Sequence, residues 1–409
     1  MLLVFWAAFI DPAIMIRRHK AALLPGMSWT RANSHVNFDL SEDEAMLKAV
    51  AERFVVDRYD IDRRKRYLAN ASGFCADNWA LLSELGLIGA PFSAESGGLG
   101  LDQSGIAIIF EALGRGFVVE PLIESILVAG GLFEQLASPE LRQTWLDSLV
   151  VGEKRLALAH SEQRARRNPA WVETSAKRNG QGIILNGEKS LVPAGVGADA
   201  YIVSARLSGA PGDRDGIALF LVPADAPGVA VNPYRLVDGS AGCQIALRNV
   251  VVDEASCLGG GIEDIENVHA RASIARSAEA LGIMERIFAD TLEYLRTRKQ
   301  FGVALGTFQA LQHRMTSQYA VLEQARSLLY LAVMADPADR ASWLRAINGA
   351  RAFIADKSIG LGHEMIQMHG GMGVTDELAI GQGHKRLLFL SRFPDDASAA
   401  LDRYAGIAA

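Results

Sequence analysis

Two short stretches carry residues whose types and spacing suit the binding of an anion. In the first, Tyr294 to Gln309, the cations Arg296, Arg298 and Lys299 crowd together, Gly302 and Gly306 interrupt the pattern, and Phe308-Gln309 follow. A local group of arginines of this kind can hold an anionic ligand. The second stretch is Gln367-Met368-His369-Gly370-Gly371, where glycine permits backbone to approach phosphate closely and free N–H groups to donate to its oxygens. Each has a plain structural alternative, since basic residues complement the end of a helix and a glycine caps it.

Both stretches must be positioned by helices. Apolar residues recur in steps of three and four at Leu281, Met284, Phe288, Leu292 and Leu295, and again at Phe308, Leu311, Met315, Leu322 and Leu329, the mark of amphipathic helices. Trp343, Ile347, Ala350, Ile354, Leu361, Met365 and Met368 extend the pattern as a core stripe, so residues 262 to 369 are expected to form three long helices of a bundle. At 409 residues the chain exceeds a single typical core. Residues 37–150 read as an all-helical N-terminal domain, opened by a Ser41/Glu44 capping box. From 151 to 260 short Val-, Ile- and Leu-rich runs broken by Gly, Pro and Asp predict a middle β domain, with Asn186-Gly187 as a hairpin turn. Residues 261–409 read as a C-terminal helical bundle. The fold class is therefore α+β. Residues 1–36 read as a leader outside the fold, with Met27 as an alternative start; Leu2 to Ile10 is apolar but too short to span a bilayer, so no stable membrane insertion is expected.

Composition narrows the function classes. Half the residues are apolar and 22% are charged, and the net charge is -6; nucleic-acid binding would need a clustered basic face. Cys75, Cys243 and Cys257 lie far apart without a Cys-x-x-Cys pair, which gives no metal or disulfide framework and suits a reducing cytoplasm.

Arg298-x-x-Phe301-Gly302, followed by Phe308-Gln309, resembles the acyl-CoA dehydrogenase family at one of its most specific places, and Gln367 with Gly370-Gly371 is a second match. The resemblance covers almost the whole chain beyond the leader. It implies a helical domain, a barrel-like β domain and a helical bundle, with FAD as cofactor and acyl-CoA as substrate. It also implies that Arg298, Phe301, Phe308, Gln309, Gln367, Gly370 and Gly371 meet the FAD held by a neighbouring subunit. In the β domain, Ser161-Glu162 keeps the first pair of the family's Thr-Glu-Pro-Gly-x-Gly-Ser-Asp segment, so Ser161 is a further cofactor candidate. Gln163 replaces the proline, the Gly-Ser turn is gone, and Leu191-Val192-Pro193 stands where the family has Trp-Ile-Thr. Each lost hydroxyl forfeits roughly 1 kcal/mol.

The family reaction removes a proton beside the thioester carbonyl, which needs a carboxylate within hydrogen-bond reach. The two positions where members place it fall here on Pro394 and Ala272, with Ser273 in place of an organising arginine. Arg271 and Arg276 flank that place off its spacing. The catalytic base is therefore unassigned; Asp395 and Asp396 stand beside Pro394, where a helix N-cap is the simpler expectation. The tail Gly373 to Gly381, followed by Lys385-Arg386-Leu387, resembles the small subunits of hetero-oligomeric members acting on pimeloyl-CoA or steroid side chains. Those subunits lack the glutamate and pair with a larger homologue. The implied partners are thus such a subunit or a second copy, in a dimer or tetramer, together with an electron-transfer acceptor. Two alternatives stand beside this: a self-sufficient homo-oligomer using Asp396 or Asp395 as base, and a flavin-free scaffold of the same fold.

Overall fold

The computed structural model describes residues 40–166, 168–180 and 182–406. The described residues from Ser41 onward make one compact unit, and the leader, with Met27, lies outside the described residues.

Ser41 opens α1 (Glu42–Arg58) with the expected box: its hydroxyl accepts the Glu44 N–H at 3.2 Å, and the Glu44 carboxylate accepts the Ser41 N–H at 2.8 Å. Next come α2 (Ile61–Ala69), α3 (Ala76–Glu84) and α4 (Gln103–Arg115), then a π-helical segment, Ile123–Gly130, that runs into α5 (Gly131–Leu136), and finally α6 (Pro139–Val150). Insertions of this kind are rare and favour functional sites.

The middle domain holds β1 (Leu156–Ala159), β2 (Ser175–Arg178), β3 (Ile183–Pro193), β4 (Ala200–Arg206), β5 (Ile217–Pro223), β6 (Val229–Arg235), β7 (Ala241–Val252) and β8 (Cys257–Gly259). They form one sheet in the order β6-β7-β3-β2-β4-β5-β8, with β1 parallel to β4. Asn186-Gly187 is not the hairpin turn that its sequence suggests. The pair lies inside β3 at a bulge against β7, where Thr174 closes over it: a Cβ on Gly187 would lie 2.4 Å from the Thr174 hydroxyl. Glycine serves close approach at this point rather than a turn.

The bundle is built from α7 (Ile262–Thr297), a small hairpin of β9 (Lys299–Gln300) and β10 (Val303–Ala304), α8 (Gln309–Val333) and α9 (Arg340–His369), followed by α10 (Ala379–Leu390) and α11 (Ala397–Ala405). The stripe from Trp343 to Met368 is buried as core. α4 and α7 cross backbone to backbone. A Cβ on Gly114 would sit 2.3 Å from the Glu279 carbonyl, and one on Gly282 would sit 2.1 Å from that of Glu111. This contact fixes the N-terminal domain on the bundle. Among the described residues no helix is long and apolar enough to cross a membrane, and no cluster of metal-ligating side chains occurs.

Candidate functional site

The anion-binding candidates gather at one end of the bundle. Arg298 caps α7, its N–H donating to the Tyr294 carbonyl at 2.8 Å. Tyr294, one turn back, stacks on His369 with ring centroids 4.3 Å apart, and His369 precedes Gly370-Gly371 at the end of α9. One aromatic stack thus joins the two motifs. Arg298, Gln309, Gln367, Gly370 and Gly371 are all exposed. Gly370 has φ +59, whereas Gly371 does not have positive φ, and a Cβ on either would meet nothing within 4 Å. Nothing among the described residues therefore demands glycine at 371. Phe301 and Gly302 form the two-residue loop between β9 and β10, both with positive φ, as a type I′ turn requires. Phe301 is 90% exposed and touches Phe308 edge-on at 6.2 Å.

Ser161 is elsewhere. It pairs with Leu191 in an isolated bridge and lines a cleft of about 930 Å³ between the β domain and the bundle. The bundle side of this cleft includes His269 and Ser273 near the start of α7 and Pro394, Asp395 and Asp396 ahead of α11. From Ser273 to Arg298 is about 38 Å along the helix at 1.5 Å per residue. Within one chain, then, Ser161 and the bundle-end group sit at opposite ends of α7. The bundle end fits the diphosphate of FAD: an exposed guanidinium, two amide side chains and glycine backbone open to solvent. The cleft offers less to the ring half, since Pro193 on its wall has no N–H to donate.

The carboxylates near Pro394 are committed. Asp396 caps α11, accepting the Ala399 N–H at 3.0 Å. Asp395 is held between Arg403 and Arg351, the latter guanidinium 3.6 Å away. Ala272 is fully buried, and the Ser273 hydroxyl donates to the His269 carbonyl. Sequence reasoning missed a third carboxylate, Glu124, which the π-helical segment presents to the cleft. The fully buried Arg276 grips it with two nitrogens, at 2.8 and 3.2 Å. Arg276 lies one turn beyond Ser273 on α7, so a carboxylate–arginine couple borders the cleft although the expected positions are empty of both. Only the partner helix reveals it, because Glu124 is 152 residues away.

Beneath Ser161 lies a buried network. The Lys189 ammonium donates to Glu162 at 2.7 Å, to the Ser204 hydroxyl at 3.1 Å and to the His160 carbonyl at 3.3 Å. Burial pulls Lys189 down to about 8 against the pull of Glu162. Burial works to raise Glu162, but Lys189, Thr174 and backbone N–H groups outweigh it and hold it below its ordinary value. Ser204 accepts from Lys189 and has its one proton left for His160 Nδ1, 2.9 Å away. Burial and the Lys189 charge lower His160 to about 4, and burial with Arg276 pushes His269 well below its usual range. The ring environment of the cleft is therefore neutral at both histidines.

Helical domain, sheet and bundle in this order, with a cleft at the sheet–bundle seam, define the class of three-domain flavin-dependent dehydrogenases. The N-terminal, middle and C-terminal domain models of acyl-CoA dehydrogenase match residues 41–153, 157–253 and 259–392. The chain belongs to the acyl-CoA dehydrogenase family, oxidoreductases whose cofactor is FAD. It is 27% identical to the probable acyl-CoA dehydrogenase YngJ of Bacillus subtilis, over 84% of this chain and 92% of that one. Among solved structures it is similar to a variant of the Tcur3481–Tcur3483 steroid ACAD (28% identity, TM-score 0.79, 90% of this chain and 97% of that). It is likewise similar to the ChsE4–ChsE5 complex of Mycobacterium tuberculosis (25%, TM-score 0.81, 90% and 98%).

Proposed function

We propose that this chain takes part in the α,β-desaturation of an acyl-CoA thioester as the subunit without the family's glutamate, and that its bundle end grips a flavin whose ring lies in another chain. The observation that carries this is the 36-residue α7. Ser161 and the cleft stand toward one end of it and Arg298 with Gly370-Gly371 at the other, with about 38 Å of helix between Ser273 and Arg298 at 1.5 Å per residue. That separation supports a flavin that touches the bundle end and places its ring in a second subunit. FAD, when bound, takes the hydride from the carbon β to the thioester carbonyl. This chain's part is to hold the diphosphate through Arg298, Gln309, Gln367 and the Gly370-Gly371 backbone, with Phe301 and Phe308 flanking it.

The absence of a carboxylate at Ala272 and Pro394, and the commitment of Asp395 to two guanidiniums, favour a partner that supplies the base. A larger homologue is the fitting partner, since two of the similar solved structures are named as paired chains. Electrons then leave to an electron-transfer acceptor, in a cytoplasmic assembly. The test is co-expression with a homologue that carries the glutamate. The complex is expected to be yellow and to reduce an electron acceptor with acyl-CoA, and Arg298→Ala to lose the colour. If the chain purified alone is yellow and turns over, the subunit reading fails. In that case replacing Asp395 and Asp396 together with asparagine decides whether either is the base. A complex colourless throughout the visible flavin band would leave only the shared fold.

A further inference from the structure

The packed histidines of this chain have partners, with one exception. His160 Nδ1 meets the Ser204 hydroxyl at 2.9 Å, His269 Nδ1 meets Arg276 at 3.5 Å, and His369 Nδ1 donates to the Met365 carbonyl at 2.9 Å. His384 on α10 is buried, and its Nδ1 has no hydrogen-bond partner. The ring lies against α9 at Gly362, where a Cβ would come within 2.2 Å of that nitrogen, so glycine makes the room for it. Leaving a buried nitrogen unpaired is costly. One residue further along α9, the exposed His363 brings a second imidazole to 4.7 Å between ring centroids, tilted by 54°. That tilt is neither the offset stack nor the edge-on contact that aromatic attraction favours. Burial, with His363 adding to it, lowers His384 to about 4, which leaves a neutral ring with a free lone pair. The charged residues next in the chain are committed elsewhere: Glu364 accepts from Arg314 at 2.7 Å, and Lys385 donates to Asp376 at 2.9 Å.

Two adjacent neutral imidazoles suit a divalent transition metal of the zinc class. An ion about 2.0–2.1 Å from one nitrogen of each ring, with tetrahedral angles, holds the ring centres about 5 Å apart, close to the spacing already present. The exposed side of His363 gives such an ion access. Among the described residues no third metal-ligating side chain joins the pair, so water completes the shell. We propose that His363 and His384 form a two-imidazole site for a transition-metal ion that clasps α9 to α10. Because α9 ends at His369 and α10 begins at Ala379, the clasp spans the turn that carries Gly370 and Gly371, and a bound ion ties the two arms of that turn together. That this steadies the backbone gripping the flavin diphosphate rests on the function proposed above; the metal site itself rests only on the histidine pair.

Isothermal titration of the purified chain, first stripped with a chelator, with Zn²⁺ and with Mg²⁺ tests this. One Zn²⁺ per chain is expected to bind saturably, whereas Mg²⁺, which takes oxygen ligands, is not. At about a hundredfold excess over its dissociation constant, Zn²⁺ should raise the melting temperature by roughly 3 °C. His363→Ala changes an exposed position, so melting without metal should be unaltered, while Zn²⁺ binding weakens about tenfold or more and the rise disappears. His384→Phe, which keeps a ring and removes both nitrogens, should weaken binding in the same way. No saturable Zn²⁺ binding, equal binding by His363→Ala, equal binding by a folded His384→Phe, or Mg²⁺ bound as tightly as Zn²⁺ would each overturn the proposal. The flavin is read separately in the co-expressed complex, where Zn²⁺ is expected to slow flavin loss on gel filtration in the parent but not in His363→Ala. No such difference in a yellow complex would overturn the clasp's hold on the turn. A colourless complex whose isolated chain nevertheless binds Zn²⁺ through both histidines would refute the flavin reading and uphold the metal site.

Discussion

Replacing Phe301 with asparagine should make the isolated chain more stable and its flavin complex weaker. Phe301 has φ +54, a left-handed conformation in which an ordinary side chain crowds the following carbonyl; the cost is about 1 kcal/mol. Asparagine tolerates this region and is favoured at the first central position of a type I′ turn. The usual counterweight, lost burial, is small because Phe301 is 90% exposed, its ring set edge-on to the half-buried Phe308. The net expectation is a gain of about 0.5–1 kcal/mol, a rise of roughly 1 °C in a chain of this size. Thermal melting of the isolated chain, followed by circular dichroism, measures it. If Phe301 flanks the flavin as proposed, the same variant in the co-expressed complex removes a large apolar contact from it, so flavin retention after gel filtration should fall about tenfold, roughly 1.4 kcal/mol. A variant that melts lower, or that keeps its flavin as tightly as the parent, would show that the strained exposed ring has no role at a subunit boundary.

The two glycines beyond α9 should separate fold from cofactor. Gly370→Ala is expected to cost about 1 kcal/mol of stability because of its positive φ. Gly371→Ala should leave melting unchanged yet lower flavin retention, since only an external ligand needs that space. Breaking the Arg276–Glu124 couple by Glu124→Leu strands a fully buried guanidinium and should cost about 3 kcal/mol. Adding Arg276→Met should recover most of that loss, as a double-mutant cycle in urea would report. His160 predicts a pH dependence. Its folded value of about 4 lies below its unfolded value of 6.5, so the unfolded chain binds the extra proton. The stability it contributes is present above about pH 6.5 and is lost as the pH falls toward 4, by roughly 3 kcal/mol. Urea midpoints between pH 4 and 7 should show this slope, and His160→Phe should flatten it.

Much of this protein was legible in its residues alone. The capping box at Ser41 and Glu44, the stripe from Trp343 to Met368 and the N-cap at Asp396 are local, and local rules reach them. The three-part helical, sheet and helical order follows from a change of periodicity that burial enforces in any such fold. Strands such as β2, Ser175–Arg178, stayed hidden because their pairing comes from neighbours rather than from their own side chains. The Asn186-Gly187 pair misled for the same reason: what demands glycine there is Thr174, which approaches from outside the strand.

The sequence by itself determined which groups could grip a phosphate and which carboxylates are missing, because residue type alone sets what a side chain can donate or accept. Only the tertiary structure decided where those groups act. Stacking of Tyr294 on His369 unites the two anion motifs, the length of α7 parts them from Ser161, and helix crossing at Gly114 and Gly282 helps carry Glu124 to Arg276. Distances between segments far apart in the chain are products of packing, and no pattern within either segment encodes them.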